Sequence, residues 1–133
     1  MELKVRNLND DDWDTLTQWW IDWGFGSAVE KSFLPSTGYI AEKNTIPIFS
    51  FFLYEPNSGV AWLAWHLSNK KYTNQEDRNL AIQLIIKKAE KDWKQKGGKF
   101  LFFAGDNKVF NNKIINLGFY EGDSNYDHLI KAI

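Results

Sequence analysis

Val60-Ala61-Trp62-Leu63-Ala64-Trp65-His66-Leu67-Ser68 is the stretch that decides the fold. It is apolar at nearly every position, where a half-buried strand would alternate. Apolarity on both faces marks a strand in the middle of a sheet that is covered on both sides. After a polar loop over residues 69–75, Ala81, Leu84, Ile85, Ala89 and Trp93 follow helical spacing. They predict an amphipathic helix over residues 76–96, which Gly97-Gly98 stops. Residues 99–104 then read as a second buried strand. Strand, long helix and strand in that order predict a right-handed crossover that lays the two strands side by side and parallel.

Upstream, residues 4–8 read as a short first strand. Asn9 caps a helix whose first turn carries Asp10, Asp11 and Asp12, where carboxylates meet the positive end of the helix dipole. Trp13, Leu16, Trp20 and Trp23 share one face of that helix, with Trp19 on its margin. Gly24 and Gly26 end it. Residues 27–37 are irregular, with a turn of helix before Pro35. Residues 38–43 and 46–54 form a hairpin about Asn44-Thr45, and Glu55-Pro56-Asn57-Ser58-Gly59 is turn chemistry. Downstream, residues 107–117 form a shorter helix with its exit at Gly118-Phe119, and residues 127–133 supply a last strand. The order β-α-β-β-β-α-β-α-β predicts one α/β domain over residues 1–133, a mixed sheet with helices on both faces.

Composition narrows the function. The 133 residues hold 16 Lys+Arg against 17 Asp+Glu, a net charge of −1, and no Cys. The near-neutral balance argues against nucleic-acid and anionic-membrane partners. The lack of Cys excludes disulfide scaffolds, thiolate zinc sites and cysteine nucleophiles. No apolar run spans a bilayer, and the N-terminus has no signal-peptide core, so the expectation is a soluble cytoplasmic domain. Asp10-Asp11-Asp12 reads as helix capping, and no His/Asp/Glu spacing predicts a metal.

The element order resembles the GNAT (GCN5-related) N-acetyltransferase superfamily. Specific residues carry the likeness from about Val60 to Phe119, above all Asn107 followed by a helix that closes in Leu117-Gly118-Phe119. Trp19-Trp20-Ile21-Asp22-Trp23-Gly24 and Phe33-Leu34-Pro35 are also similar to GNAT-like proteins encoded by bacteriophages. The resemblance implies acetyl transfer from acetyl-CoA to a small-molecule or protein amine, by a monomer or homodimer. It implies that the pantetheine arm runs beside Leu67 and Ser68, and that the pyrophosphate meets backbone N–H groups between Gln75 and Leu80. Arg78 and Asn79 lie in that stretch, and Asn107 is a further cofactor-side candidate. Family loops here read Arg/Gln-x-x-Gly-x-Gly/Ala, since an anion at a helix N-terminus gains from free donors and glycines allow close approach. In this chain neither register, from Thr73 or from Gln75, supplies a glycine. Glu76 and Asp77 would repel a pyrophosphate, and Arg78 would partly compensate.

The family's acid, a Tyr four residues before the Gly of Gly-Phe, corresponds to Ile114, which cannot donate a proton. His66 is the titratable group of the central strand, suited by its intrinsic pKa to act as a general base, although a histidine hydrogen-bonded in or beside the core is the more ordinary reading. Strand alternation puts it on the face of Trp62 and Ala64. Trp23, Phe25 and Phe33 are expected to border the acceptor amine; the Trp stripe reads as core, with Trp19, Trp23 and Phe25, at its margin and the helix end, as the exceptions. Asn107 reads equally as a helix cap. A catalytically degenerate GNAT-fold binding module is the alternative function.

Overall fold

The computed structural model describes residues 2–125 and 127–133; Met1 and Tyr126 lie outside the described residues. Five strands form one sheet in sequence order: β1 (Leu3–Asn7), β2 (Thr37–Lys43), β3 (Ile46–Tyr54), β4 (Val60–Ser68) and β5 (Phe100–Phe103). Neighbours are antiparallel except β4 and β5, which run parallel as the crossover requires. The helices are α1 (Trp13–Asp22), α2 (Gln75–Gln95) and α3 (Lys108–Ile115), with short 3₁₀ turns at Asp10–Asp12 and Lys31–Phe33.

Each face of the sheet has its own core. On one, α2 buries Ala81, Ile82, Ile85, Ile86, Ala89 and Trp93 against Tyr39, Ala41, Phe51, Leu53, Ala61 and Leu63. Each fully buried Ile is worth about 1.5–3 kcal/mol, so this helix anchors the sheet. On the other face, α1 places Leu16, Trp19 and Trp20 on Ile40, Phe52 and Leu67. Trp19 is therefore core, not a margin residue: it is 4% exposed. Side-chain oxygens cap the helical starts at Asn9, Asn74 and Asn107, as Asn does where orphan N–H groups need an acceptor.

Three expectations need correction. The predicted last strand over residues 127–133 is absent, and Leu129 and Ile130 stand 87% and 83% exposed. Period-two patterning makes a strand only where a partner edge takes up its hydrogen bonds, and this segment has none among the described residues. Nor are β4 and β5 covered on both sides. Trp62, Trp65, Phe100 and Phe102 are all exposed, because α1 covers β2, β3 and the Leu67 end of β4 but stops short of β5. Finally, β5 ends at Phe103, a residue earlier than expected.

The first turn is fixed by an ion pair. Asp12 accepts from both Arg6 guanidinium nitrogens, at 2.8 and 2.7 Å, and from the Asn9 N–H at 2.9 Å. The Arg6 hydrogen bond holds the Asp12 carboxyl below the ordinary carboxylate pKa. That stabilisation is present above the unfolded-state pKa and is lost as pH falls through the folded one. Asp12→Ala is expected to cost about 1–3 kcal/mol at pH 7, with the gap to wild type closing on acidification. Urea melts from pH 7 to pH 2 check this, and a gap independent of pH would contradict it.

Candidate functional site

A single extra residue organises the end of β4. Ser50 of β3 pairs with Leu67 and Phe52 with Ala64, so Phe51 alone faces both Trp65 and His66. This is a β-bulge, and Trp65 takes a φ of +54° to make it. A left-handed conformation at a non-glycine residue costs about 1–2 kcal/mol. Local bonds hold it: the Trp65 indole N–H donates to the Tyr54 hydroxyl at 2.7 Å, and that hydroxyl donates to the Phe33 carbonyl at 2.6 Å.

Bulges bend a strand and locally disrupt its ladder. The β4–β5 ladder runs from Val60–Phe100 to Leu63–Phe103 and stops there, whereas β4 continues to Ser68. Beyond Leu63, β4 has no strand beside it on the β5 side among the described residues. β5 ends two residues before the bulge, and β4 runs on alone through it, with main-chain donors and acceptors turned toward the gap. An extended ligand with amide groups can pair there as a strand would.

The bulge also moves His66. Ala61 and Leu63 face α2, so Trp62 and Ala64 face the α1 side. The extra residue returns His66 to the α2 side, against the alternation read from sequence. Its ring stacks on Phe110 at 4.2 Å and 11°, and meets Phe103 edge-on at 5.6 Å. The residue is exposed at its outer edge, but packing of the ring on Phe103 and Phe110 removes water from it and lowers its pKa below 6.5, and the Asp106 carboxylate opposes this. The imidazole is neutral at pH 7, with one nitrogen free to accept a proton.

The loop after β4 is held by side chains where a family loop would use glycines. The Arg78 guanidinium donates to the carbonyls of Asn69 (3.0 Å) and Tyr72 (2.9 Å) and to the Ser68 hydroxyl (3.1 Å). The Trp23 indole donates to the Ser68 carbonyl at 2.8 Å. Asn74 caps α2 by accepting from the Asp77 N–H at 3.0 Å, and the Asp77 carboxylate bonds Tyr72 and Lys43. That leaves the backbone N–H groups of Gln75 and Glu76 without an acceptor among the described residues.

Of the residues singled out in the sequence, Ser68, Arg78 and Trp23 meet at the end of β4. Leu67 is buried under α1. Gln75 bonds Asn79 along the helix surface at 3.0 Å, and Leu80 is exposed beside them. Asn107 accepts from the Phe110 N–H at 3.0 Å and so performs the cap role. Trp23, Phe25 and Phe33 are exposed on the α1 side. Ile114 is buried in the core that α2 builds, and its side chain has no proton to donate. Sequence reasoning missed Trp65, Tyr54 and Asp106. Among the described residues no group of His, Asp and Glu could hold a metal, and no helix is long and apolar enough to cross a membrane.

No family sequence model and no curated protein sequence matches the chain. Solved structures do. A probable acetyltransferase superposes with a TM-score of 0.73 at 16% identity, over 97% of this chain and 99% of that one. The aminoglycoside acetyltransferase AAC(6')-Iy, bound to a CoA bisubstrate analogue, gives 0.69 at 14%, over 99% and 100%. The aminoglycoside acetyltransferase meta-AAC0020, from an uncultured soil metagenomic sample, gives 0.68 at 12%, over 98% and 96%. The chain has the GNAT acetyltransferase fold. The GNAT likeness is one of architecture, since identity is low throughout.

His66 offers a direct check on this geometry. Its imidazole should titrate below 6.5 when followed by NMR, and Asp106→Asn should lower the midpoint further by removing the nearby negative charge. A midpoint at or above 6.5 would show that the ring is not packed on Phe110.

Proposed function

We propose that the chain is an N-acetyltransferase that moves the acetyl group of acetyl-CoA to a primary amine. The observation that carries this reading is the length by which β4 outruns β5, from Ala64 through the Trp65 bulge to Ser68. It leaves a main-chain ladder suited to the amide-bearing pantetheine arm, beside Trp65, His66, Leu67 and Ser68. The residues present fit such a cofactor, in a modified way. The free N–H groups of Gln75 and Glu76 take the place of a glycine-rich loop for the pyrophosphate. Arg78 acts by fixing the loop, since its guanidinium is spent on that loop's oxygens. The groove between α2 and α3, lined by Asn79, Gln83, Lys113 and Asn116, offers amides and an ammonium to the nucleotide end. Asn107 contributes by starting α3 on the far side of the gap.

Bound acetyl-CoA would supply an activated thioester. The amine must lose a proton, form the C–N bond and release the sulfur, which then takes a proton. His66 is the neutral base at the cleft, and water is the remaining acid because Ile114 is buried. Turnover should accordingly be slow, with positioning supplying much of the rate. A cytoplasmic location goes with this reading, since acetyl-CoA is found there. So does the bacteriophage resemblance of the Trp-rich segment, which would put the enzyme in a host cell.

Thermal melts test the reading. Acetyl-CoA at 100 times its dissociation constant should stabilise the fold by about 2.7 kcal/mol. No shift at millimolar acetyl-CoA would overturn the enzyme reading and leave a binding module of the same fold. His66→Ala should lower turnover by roughly 10²–10⁴-fold with binding of acetyl-CoA retained. A lower melting temperature with unchanged turnover per folded molecule would remove His66 from the mechanism.

A further inference from the structure

The α1 side of the sheet carries a row of aromatic rings that no helix covers. Tyr54 pairs with Trp62 across β3 and β4, and Trp62 pairs with Phe102 across β4 and β5. These three side chains therefore stand abreast on one face. Trp62 and Phe102 meet edge-on at 5.1 Å and are 43% and 45% exposed. Trp65 adjoins the row through its bond to Tyr54 and sits on the bulge, past the end of β5.

The same side of the molecule already uses indole rings to hold ammonium groups. Lys31 Nζ lies 5.3 Å from the Trp13 ring centroid, and Lys70 Nζ lies 5.1 Å from that of Trp23. Among the described residues Trp62 and Trp65 have no such cation. An ammonium over an indole face is worth more as water is excluded. The row itself carries no carboxylate, since the residues that β3, β4 and β5 turn to this face are apolar or neutral; acidic side chains stand on α1 and the loop after it, at Asp14, Asp22 and Glu30. A polycation laid along the row would meet no counter-charge on it, whereas a single ammonium on an apolar stem matches both the rings and the row's lack of charge.

We propose that the acceptor is a primary monoamine on an aromatic stem, the stem lying on the Tyr54–Trp62–Phe102 row and the ammonium over Trp65. The word acceptor rests on the transferase reading, but the amine site is argued from this face alone. Through water in the gap beside β4 the amine passes its proton to His66, which faces the α2 side, and its nitrogen then attacks the acetyl carbonyl carbon. The C–N bond forms, the C–S bond breaks, and the sulfur is protonated, giving an amide and free CoA thiol.

Calorimetric titration of the full chain with 2-phenylethylamine, ethylamine and kanamycin separates the possibilities. Phenylethylamine should bind at least tenfold tighter than ethylamine and tighter than kanamycin. 2-Phenylethanol, which keeps the ring and lacks the charge, should bind at least fivefold more weakly than phenylethylamine. Phe102→Ala and Trp62→Ala should each weaken phenylethylamine at least fivefold while leaving the acetyl-CoA melting shift in place. The unchanged shift shows that these variants are folded. Equal binding of phenylethylamine and ethylamine, or tighter binding of kanamycin, would overturn the inference and leave the transferase reading standing. A missing acetyl-CoA shift alongside selective phenylethylamine binding would overturn the transferase reading and leave the amine site standing.

Discussion

Two residues of β4 lie opposite one of β3, and the pleat cannot absorb the extra one without bending. From that constraint follow the left-handed Trp65 and the inversion of His66. The strain is local, about 1–2 kcal/mol, and the Trp65–Tyr54–Phe33 hydrogen-bond chain offsets it. Well-packed cores on both faces keep the rest of the sheet rigid. The ladder takes in every residue of β5, and β4 runs on past it from Ala64 to Ser68 through the bulge.

At the same end of the molecule the loop after β4 is held with few small residues. Arg78 gathers three oxygens from the 68–72 segment, doing with one long side chain what glycines do by compact turns. Asp77 is drawn aside by Tyr72 and Lys43, and the Tyr72 hydrogen bond pulls its pKa below the ordinary value. The carboxylate is thereby partly neutralised by an ammonium close to the helix start. Its charge opposes a bound pyrophosphate less than the sequence suggests.

Much of the fold was legible because it depends on short-range rules. Asn9, Asn74 and Asn107 mark helical starts by cap chemistry, and the 3.6-residue spacing of Ala81 to Trp93 gives the face of α2. The parallel crossover followed from the order of elements. The site was less legible because one inserted residue reverses every facing read by alternation, and nothing about Trp65 announces a positive φ. A tryptophan there is unexpected where glycine or asparagine is the usual choice. The tail over residues 127–133 misled for a related reason: its pattern suits a strand, but hydrogen-bond partners are a tertiary property. Exposure of one face of β4 was hidden too, since Trp62 and Trp65 look like core residues until the reach of α1 is known.

The central claim is that the edge of β4 that outruns β5 is a binding surface for acetyl-CoA. Backbone amide NMR shifts on titration with acetyl-CoA test it most directly. The account predicts the largest perturbations at the amides of residues 65–68 and of Gln75 and Glu76, with β1 and the β2–β3 turn unmoved. Saturable shifts confined to other surfaces, or none at these amides at millimolar ligand, would contradict it.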